Sequence, residues 1–234
     1  MKWVMFAGHP DKSDVILYTA RVVRSLKQSR ILLVDATKHQ IYKNSVSSID
    51  PESHIDEHDG MDVVTGVRNM EELNVVLTGS GETLDNYNYV FVDVDDYSVV
   101  KDFLAEKLVL VTSYSRPSAI ENSKIMDVLK SHEAGVELLE NMEVITLHVD
   151  SEIKQDFILD QLFGAAASTL KKVHTIYDDE SRRAAQVANQ FSSQVNIKLV
   201  PRLYKKTLVE FIGGLFGDPK EVKNVIKQVE RGKI

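Results

Sequence analysis

Short apolar runs alternate with amphipathic stretches along the whole chain. The runs at 3–7, 31–35, 61–65, 89–93, 108–112, 144–148 and 173–177 are rich in β-branched and aromatic residues, which predicts strands. The stretches at 12–28, 70–78, 99–105, 117–131, 153–163, 180–190 and 206–215 carry apolar residues at helical spacing or begin with helix-starting residues, which predicts helices. Strands that are apolar almost throughout, separated by helices, define an α/β fold with a mostly parallel central sheet of about seven or eight strands, covered on both faces. Pro117 falls in the first turn of its helix, where a missing N–H costs nothing. Residues 43–60 are the one long polar connection and show no apolar period, so they are expected to form a surface loop. The last element starts at Asp218, with Pro219 at its first helical position and Glu221 at its third. Val222, Val225, Ile226 and Val229 then form one stripe and Gly232 stops the helix. The organisation is one α/β domain over 1–217 followed by an amphipathic helix over 218–234.

Composition narrows the classes. The 234 residues are 43% hydrophobic and 27% charged, ordinary for a globular domain with a buried core. A formal net charge of −7 argues against wholesale nucleic-acid binding, which needs concentrated Lys and Arg, although a local basic patch is compatible with it. With no cysteine, disulfides and thiolate metal sites are excluded, in keeping with a reducing cytoplasm. The apolar stretch at the N-terminus is too short for a signal-peptide core, and no run approaches the roughly 18 apolar residues of a membrane span. The expectation is a cytoplasmic protein, at most peripheral to the inner face of the membrane.

The segment carrying candidate chemistry is the first. The strand at 3–7 enters Gly8-His9-Pro10-Asp11-Lys12-Ser13-Asp14, and Val15, Ile16, Tyr18, Thr19, Val22 and Val23 then give a helical apolar face. A phosphate-binding loop needs glycines that turn successive N–H groups inward around an anion, then Lys and Ser or Thr at the helix start. Lys12-Ser13 fits. Pro10 has no N–H to offer, and Asp11 places a carboxylate where phosphate charge would sit.

Further segments fall into order with it: ILLVDATKHQ at 31–40, YNYVFVDVDD at 87–96, LVLVTSYSRPSAIENSKIMDVL at 108–129, VITLHVDS at 144–151 and VHTIYDDESRRAA at 173–185. In order and spacing over nearly the whole chain they resemble the MinD/ParA family of P-loop ATPases, of the SIMIBI class, which positions plasmids, division sites, flagella and pili. The resemblance makes the first segment that family's second strand, ending in Asp35, and the second its Walker B strand, with Asp93. It makes the last two the late strands that frame adenine. It implies a nucleotide site of Gly8, Lys12, Ser13, Asp35 and Asp93 for Mg-ATP or Mg-ADP.

The departures bear on that site. The family loop reads K-G-G-x-G-K-[ST]; here Ala7 stands for the signature lysine, His9 for a glycine and Asp11 for the last glycine. Without that lysine, catalysis across a dimer is not expected. The asparagine that reads adenine falls on Leu147, and the proline of the following I-P-Y-D motif on Ile176. The reading is a degenerate site with lost or weakened ATP binding, no catalytic residue and no resident cofactor. Lys12 is free to pair with Asp11, Asp35 or Asp93, as a structural ion pair. The function expected is a localisation or assembly module with a protein partner, resembling the CpaE/TadZ type that serves pilus or secretion machinery, with any homodimer independent of nucleotide. The alternatives are a slow Mg-ATPase switch and a partition or regulatory protein of a mobile element.

Other clusters carry less. His54, Asp56, Glu57, His58 and Asp59 lack a helical period and sit between Pro51 and Gly60, so a solvated loop is expected and no metal site. His39, His132, His148 and His174 are scattered, and Ser113, Ser115 and Ser118 have no His and Asp in a nucleophile turn. The last helix surrounds its stripe with Lys220, Lys223, Lys227, Arg231 and Lys233, as the membrane-binding helix of MinD would. The stripe is short, β-branched and without Trp, Phe or Leu, which favours packing on the protein's own body, or docking on a partner, over insertion in lipid.

Overall fold

The computed structural model describes residues 1–46, 50, 53–103, 105–170 and 172–232. Lys233 of the basic set, Pro51, and parts of the 43–60 and 99–105 segments lie outside them. The chain opens with β1 (Lys2–Ala7), α1 (Ser13–Lys27), β2 (Ile31–Asp35), α2 (Ile41–Ser45), β3 (Ile55–His58), β4 (Met61–Thr65) and α3 (Met70–Gly79). It continues with β5 (Tyr89–Val94), β6 (Lys107–Ser113), α4 (Arg116–Lys130), α5 (Glu133–Glu140), β7 (Glu143–His148) and α6 (Gln155–Phe163). It closes with β8 (Val173–Tyr177), α7 (Glu180–Gln190), α8 (Arg202–Phe216) and α9 (Pro219–Glu230).

The strands form one sheet in the order β3-β4-β2-β5-β1-β6-β7-β8, and every neighbouring pair is parallel except β3 with β4. The α/β reading is therefore correct, with eight strands among the described residues and β1 in the interior. Alternation along the strands splits the core into two layers. Val4, Phe6, Leu33 and Phe91 face α1, α8 and α9, while Met5, Leu32, Val92 and Leu110 face α3, α4 and α5. Register aligns Ala7 with Val94 and Asp35 with Asp93, so the ends of β1, β2 and β5 meet at one edge.

The seven expected strands are present. The eighth, β3, lies inside the stretch expected as a surface loop, and so does most of α2. The hairpin β3–β4 turns through Asp59 and Gly60, both at positive φ, the two-residue turn that suits strand twist. His58 is buried there, and burial lowers its pKa. Asp59 Oδ2 accepts from Arg21 Nε of α1 at 2.9 Å and from the Val195 N–H at 3.2 Å, which fastens the hairpin to the body. The helix expected at 99–105 is a 3-10 turn at Val100–Phe103, and α5 was not foreseen.

Of the outcomes expected for the α9 stripe, the structure selects packing on the protein's own body, which corrects the docking role of Val222, Val225, Ile226 and Val229. Val222 and Ile226 are buried and Val225 and Val229 pack beside them, against α1 and α8. Those residues complete the domain's own core and present no docking face.

Candidate functional site

The turn after β1 lies between β5 and β6, and Gly8, His9, Asp11 and Lys12 each make a contact within the protein. Gly8 has φ +142, and a Cβ there would overlap the Val111 carbonyl oxygen, so glycine is required for the close approach of the turn to β6. The Gly8 N–H donates to Val94 O at 2.9 Å. The His9 N–H donates to Asn122 Oδ1 at 2.8 Å, and Asn122 of α4 is fixed in turn by its own donation to Val111 O at 2.9 Å.

Asp11 occupies the helix entrance. Its Oδ1 accepts from the Ser13 N–H at 2.9 Å and from Ser13 Oγ at 2.8 Å, and its Oδ2 accepts from Gln186 Nε2 of α7 at 2.8 Å. A carboxylate at a helix N-terminus is stabilised by the unsatisfied N–H groups and the positive end of the dipole. These are the donors an external anion would use.

Lys12 turns inward, away from solvent. Its ammonium lies 2.6 Å from Asp93 Oδ1 and donates to Gly8 O at 2.7 Å, with the side chain wholly buried. Of its three candidate partners, the structure selects Asp93. Asp93 Oδ2, Tyr42 Oη and Thr65 Oγ1 are buried without a hydrogen bond of standard geometry. Burial raises the Asp93 carboxyl to about 7 against the pull of Lys12, with Asp35 adding to the rise. Burial likewise pushes up the Tyr42 phenol, reinforced by Asp93.

Asp35 ends β2 next to Asp93 in register, but both its oxygens are engaged. Oδ1 accepts from the Thr37 N–H at 3.0 Å and Thr37 Oγ1 at 2.5 Å, and Oδ2 from the Tyr42 N–H at 2.9 Å. Burial raises its pKa while those hydrogen bonds hold it down. Leu147 and Ile176 are core residues in β7 and β8. Ala7 is buried at the end of β1.

The structure thus brings Gly8, Lys12, Ser13, Asp35 and Asp93 to one edge of the sheet. Sequence reasoning did not reach Asn122, Gln186 or the buried pair between Asp14 and Arg182. Arg182 forks onto Asp14 with Nε 3.0 Å from Oδ2 and Nη2 2.7 Å from Oδ1, Tyr204 donates to the same carboxylate at 3.1 Å, and Asp178 takes Nη1 at 3.0 Å. Only the i, i+4 spacing of Asp178 and Arg182 was readable; Asp14 is 168 residues away. A cavity of about 20 Å³ lies beside Ser13 and Asp14, room for about one water. Among the described residues there is no group of three or more His, Cys, Asp or Glu placed to hold a metal ion.

This is the P-loop NTPase-like α/β architecture. Within it the fold is that of the ParA/MinD ATPases. A ParA family ATPase from Chlorobium tepidum TLS matches over 90% of this chain and 97% of its own, with a TM-score of 0.59 and 17% identity. The ATP complex of a Cyanothece McdA variant matches over 99% and 96%, with a TM-score of 0.57 and 11% identity. A chain of the MinC:MinD cell division protein complex from Aquifex aeolicus matches over 100% and 98%, with a TM-score of 0.54 and 13% identity. At these identities the likeness is one of fold. No protein-family model matches the sequence, and no curated protein matches it.

Proposed function

We propose that this chain is a ParA/MinD-type pseudo-ATPase that acts as a localisation or assembly module through protein contacts. The observation that carries the reading is the Asp11 carboxylate bound to the Ser13 N–H and hydroxyl, where an anion would otherwise dock. Lys12 is committed to Asp93, Asp35 to Thr37 and Tyr42, and the His9 N–H to Asn122. These residues do not fit a magnesium nucleotide in this arrangement: a phosphate would have to displace a like-charged carboxylate and draw a buried lysine out of its ion pair. Titration calorimetry with Mg-ATP and Mg-ADP tests the reading. No binding, or binding weaker than millimolar, is expected; low-micromolar affinity, or turnover abolished by Lys12→Ala, overturns it.

A second reading, a slow Mg-ATPase switch, is favoured by the placement of Lys12, Ser13 and Asp93 at one edge and by two fold relatives with bound nucleotide, the Cyanothece McdA variant with ATP and a putative plasmid partition protein from Borrelia burgdorferi B31 with AMPPNP. The same calorimetry separates the two. The cellular niche rests on resemblance to the CpaE/TadZ type, which makes pilus or secretion machinery in the cytoplasm the place to look for a partner. The MinC:MinD complex supports a protein partner in this fold. Among the described residues no helix is long and apolar enough to cross a membrane.

A further inference from the structure

We infer that the C-terminal ends of β7 and β8, with the first turns of α6, are a docking surface for a cationic, apolar-anchored segment of a protein partner. This deepens the localisation reading, on which it rests, by naming the chemistry of the partner. Tyr114, His148 and Tyr177 form a row of rings, with centroids 4.8 Å and 5.0 Å apart and edge-to-face, and Tyr114 Oη lies 2.7 Å from His148 Nδ1. Thr175 of β8, two residues before Tyr177, donates from Oγ1 to Gln155 Oε1 of α6 at 3.0 Å, so the first turn of α6 borders the row. Phe157 in that turn is 54% exposed and Tyr177 45%, and Val149 and Ile153 on the connection into α6 are exposed as well. Exposed apolar groups gathered at one place and rimmed by charge mark an interaction site.

The rim selects the partner. Asp150, Glu152, Asp156 and Asp160 are exposed on the β7–α6 segment, and Asp179 and Glu180 follow Tyr177. Against them the same two stretches carry Lys154, while Arg182 and Arg183 are already bound by Asp178. A surface of this sign attracts Lys and Arg and repels phosphate, which disfavours nucleic acid and anionic lipid. Two copies of the patch facing each other would oppose like charges, in a chain whose formal charge is already −7. A basic segment that seats a Leu or aromatic anchor on the ring row satisfies both features.

The probe is a short synthetic peptide of lysine, leucine and tryptophan, with a counterpart that has glutamate for every lysine, and binding to the full chain is read by fluorescence anisotropy. The basic peptide should bind and the acidic one should not. Phe157→Ser and the pair Glu152→Lys, Asp156→Lys should each weaken binding by about tenfold or more, and affinity should fall as salt rises from about 0.1 M to about 1 M. Amide exchange should show protection confined to 149–160 and 177–180. Equal binding by the variants, equal binding of the two peptides, or protection elsewhere overturns the proposal, and unchanged thermal midpoints keep misfolding from imitating success. Self-association in sedimentation, or flotation with phosphatidylglycerol vesicles, that Phe157→Ser abolishes would replace it with a second copy or a membrane. Tight Mg-ATP binding with specific peptide binding would refute the pseudo-ATPase and leave this surface standing; the converse would refute the surface alone.

Discussion

In the proposed reading, Asp11 decides the chemistry of the turn after β1. As an anion built into the chain it acts at a high effective concentration set by the loop geometry, so any phosphate competes against an intramolecular ligand. Asp11→Gly removes the competitor and returns the Ser13 N–H and hydroxyl to solvent. The expected outcome is a gain in Mg-ATP affinity of about tenfold or more, about 1.4 kcal/mol, measured by calorimetry. Affinity unchanged from the parent chain would mean that Lys12 and Asp35, not Asp11, hold the site closed. The Lys12–Asp93 pair adds a pH signature. The Asp93 carboxyl sits at about 7 in the fold against 3.8 as its ordinary value. Between those limits the folded chain holds a proton that the unfolded chain has lost, so this group's stabilisation is full below about 4 and is lost as pH rises through about 7. Lys12→Met with Asp93→Asn removes both charges together and should flatten the thermal midpoint over that window relative to the parent. Lys12→Met alone leaves the buried carboxyl without a partner and should cost about 3 kcal/mol in denaturant unfolding.

At the scale of elements, two contacts tie distant segments to the body. Arg182 joins the start of α7 to the start of α1 and to Tyr204 of α8. Arg182→Met strands Asp14 in a buried position and should destabilise by about 3 kcal/mol, an effect largely absent when Asp14→Asn is already present, as a double-mutant cycle would show. Helix α9 contributes Ile226 to the core, and Ile226→Ala should cost about 3 kcal/mol in the same measurement. A loss below about 1 kcal/mol would mean that α9 is loosely held and free to act as a docking element. Its basic residues surround a stripe that the domain consumes, so vesicle binding through that stripe would first require α9 to detach.

For the whole molecule, the fold is that of the ParA/MinD ATPases, and the proposed loss of nucleotide binding bears on assembly. Ala7 is buried in β1 and has no group to extend to a second copy. A ligand shifts association only by its differential affinity for the two states. Sedimentation velocity should therefore give the same distribution with and without Mg-ATP; a nucleotide-dependent shift to dimer would reinstate the switch.

The sequence by itself determined the seven parallel strands, because parallel strands buried on both faces read as apolar runs whose spacing is independent of what packs on them. It also determined the loop's departures, since Ala7, Pro10 and Asp11 change the local chemistry wherever they fold. Some features were readable and passed over: Asp59-Gly60 between His58 and Met61 is a hairpin turn written in two residues. Tertiary structure alone decided the rest. The choice of Asp93 over Asp35 and Asp11 for Lys12 depends on which carboxylate already has other donors. The inward stripe of α9 depends on the groove between α1 and α8, and the Asp14–Arg182 fork and the Gln186 and Asn122 locks join residues that no local pattern relates. Periodicity records how a segment meets water; it does not record which distant side chain will satisfy a buried charge.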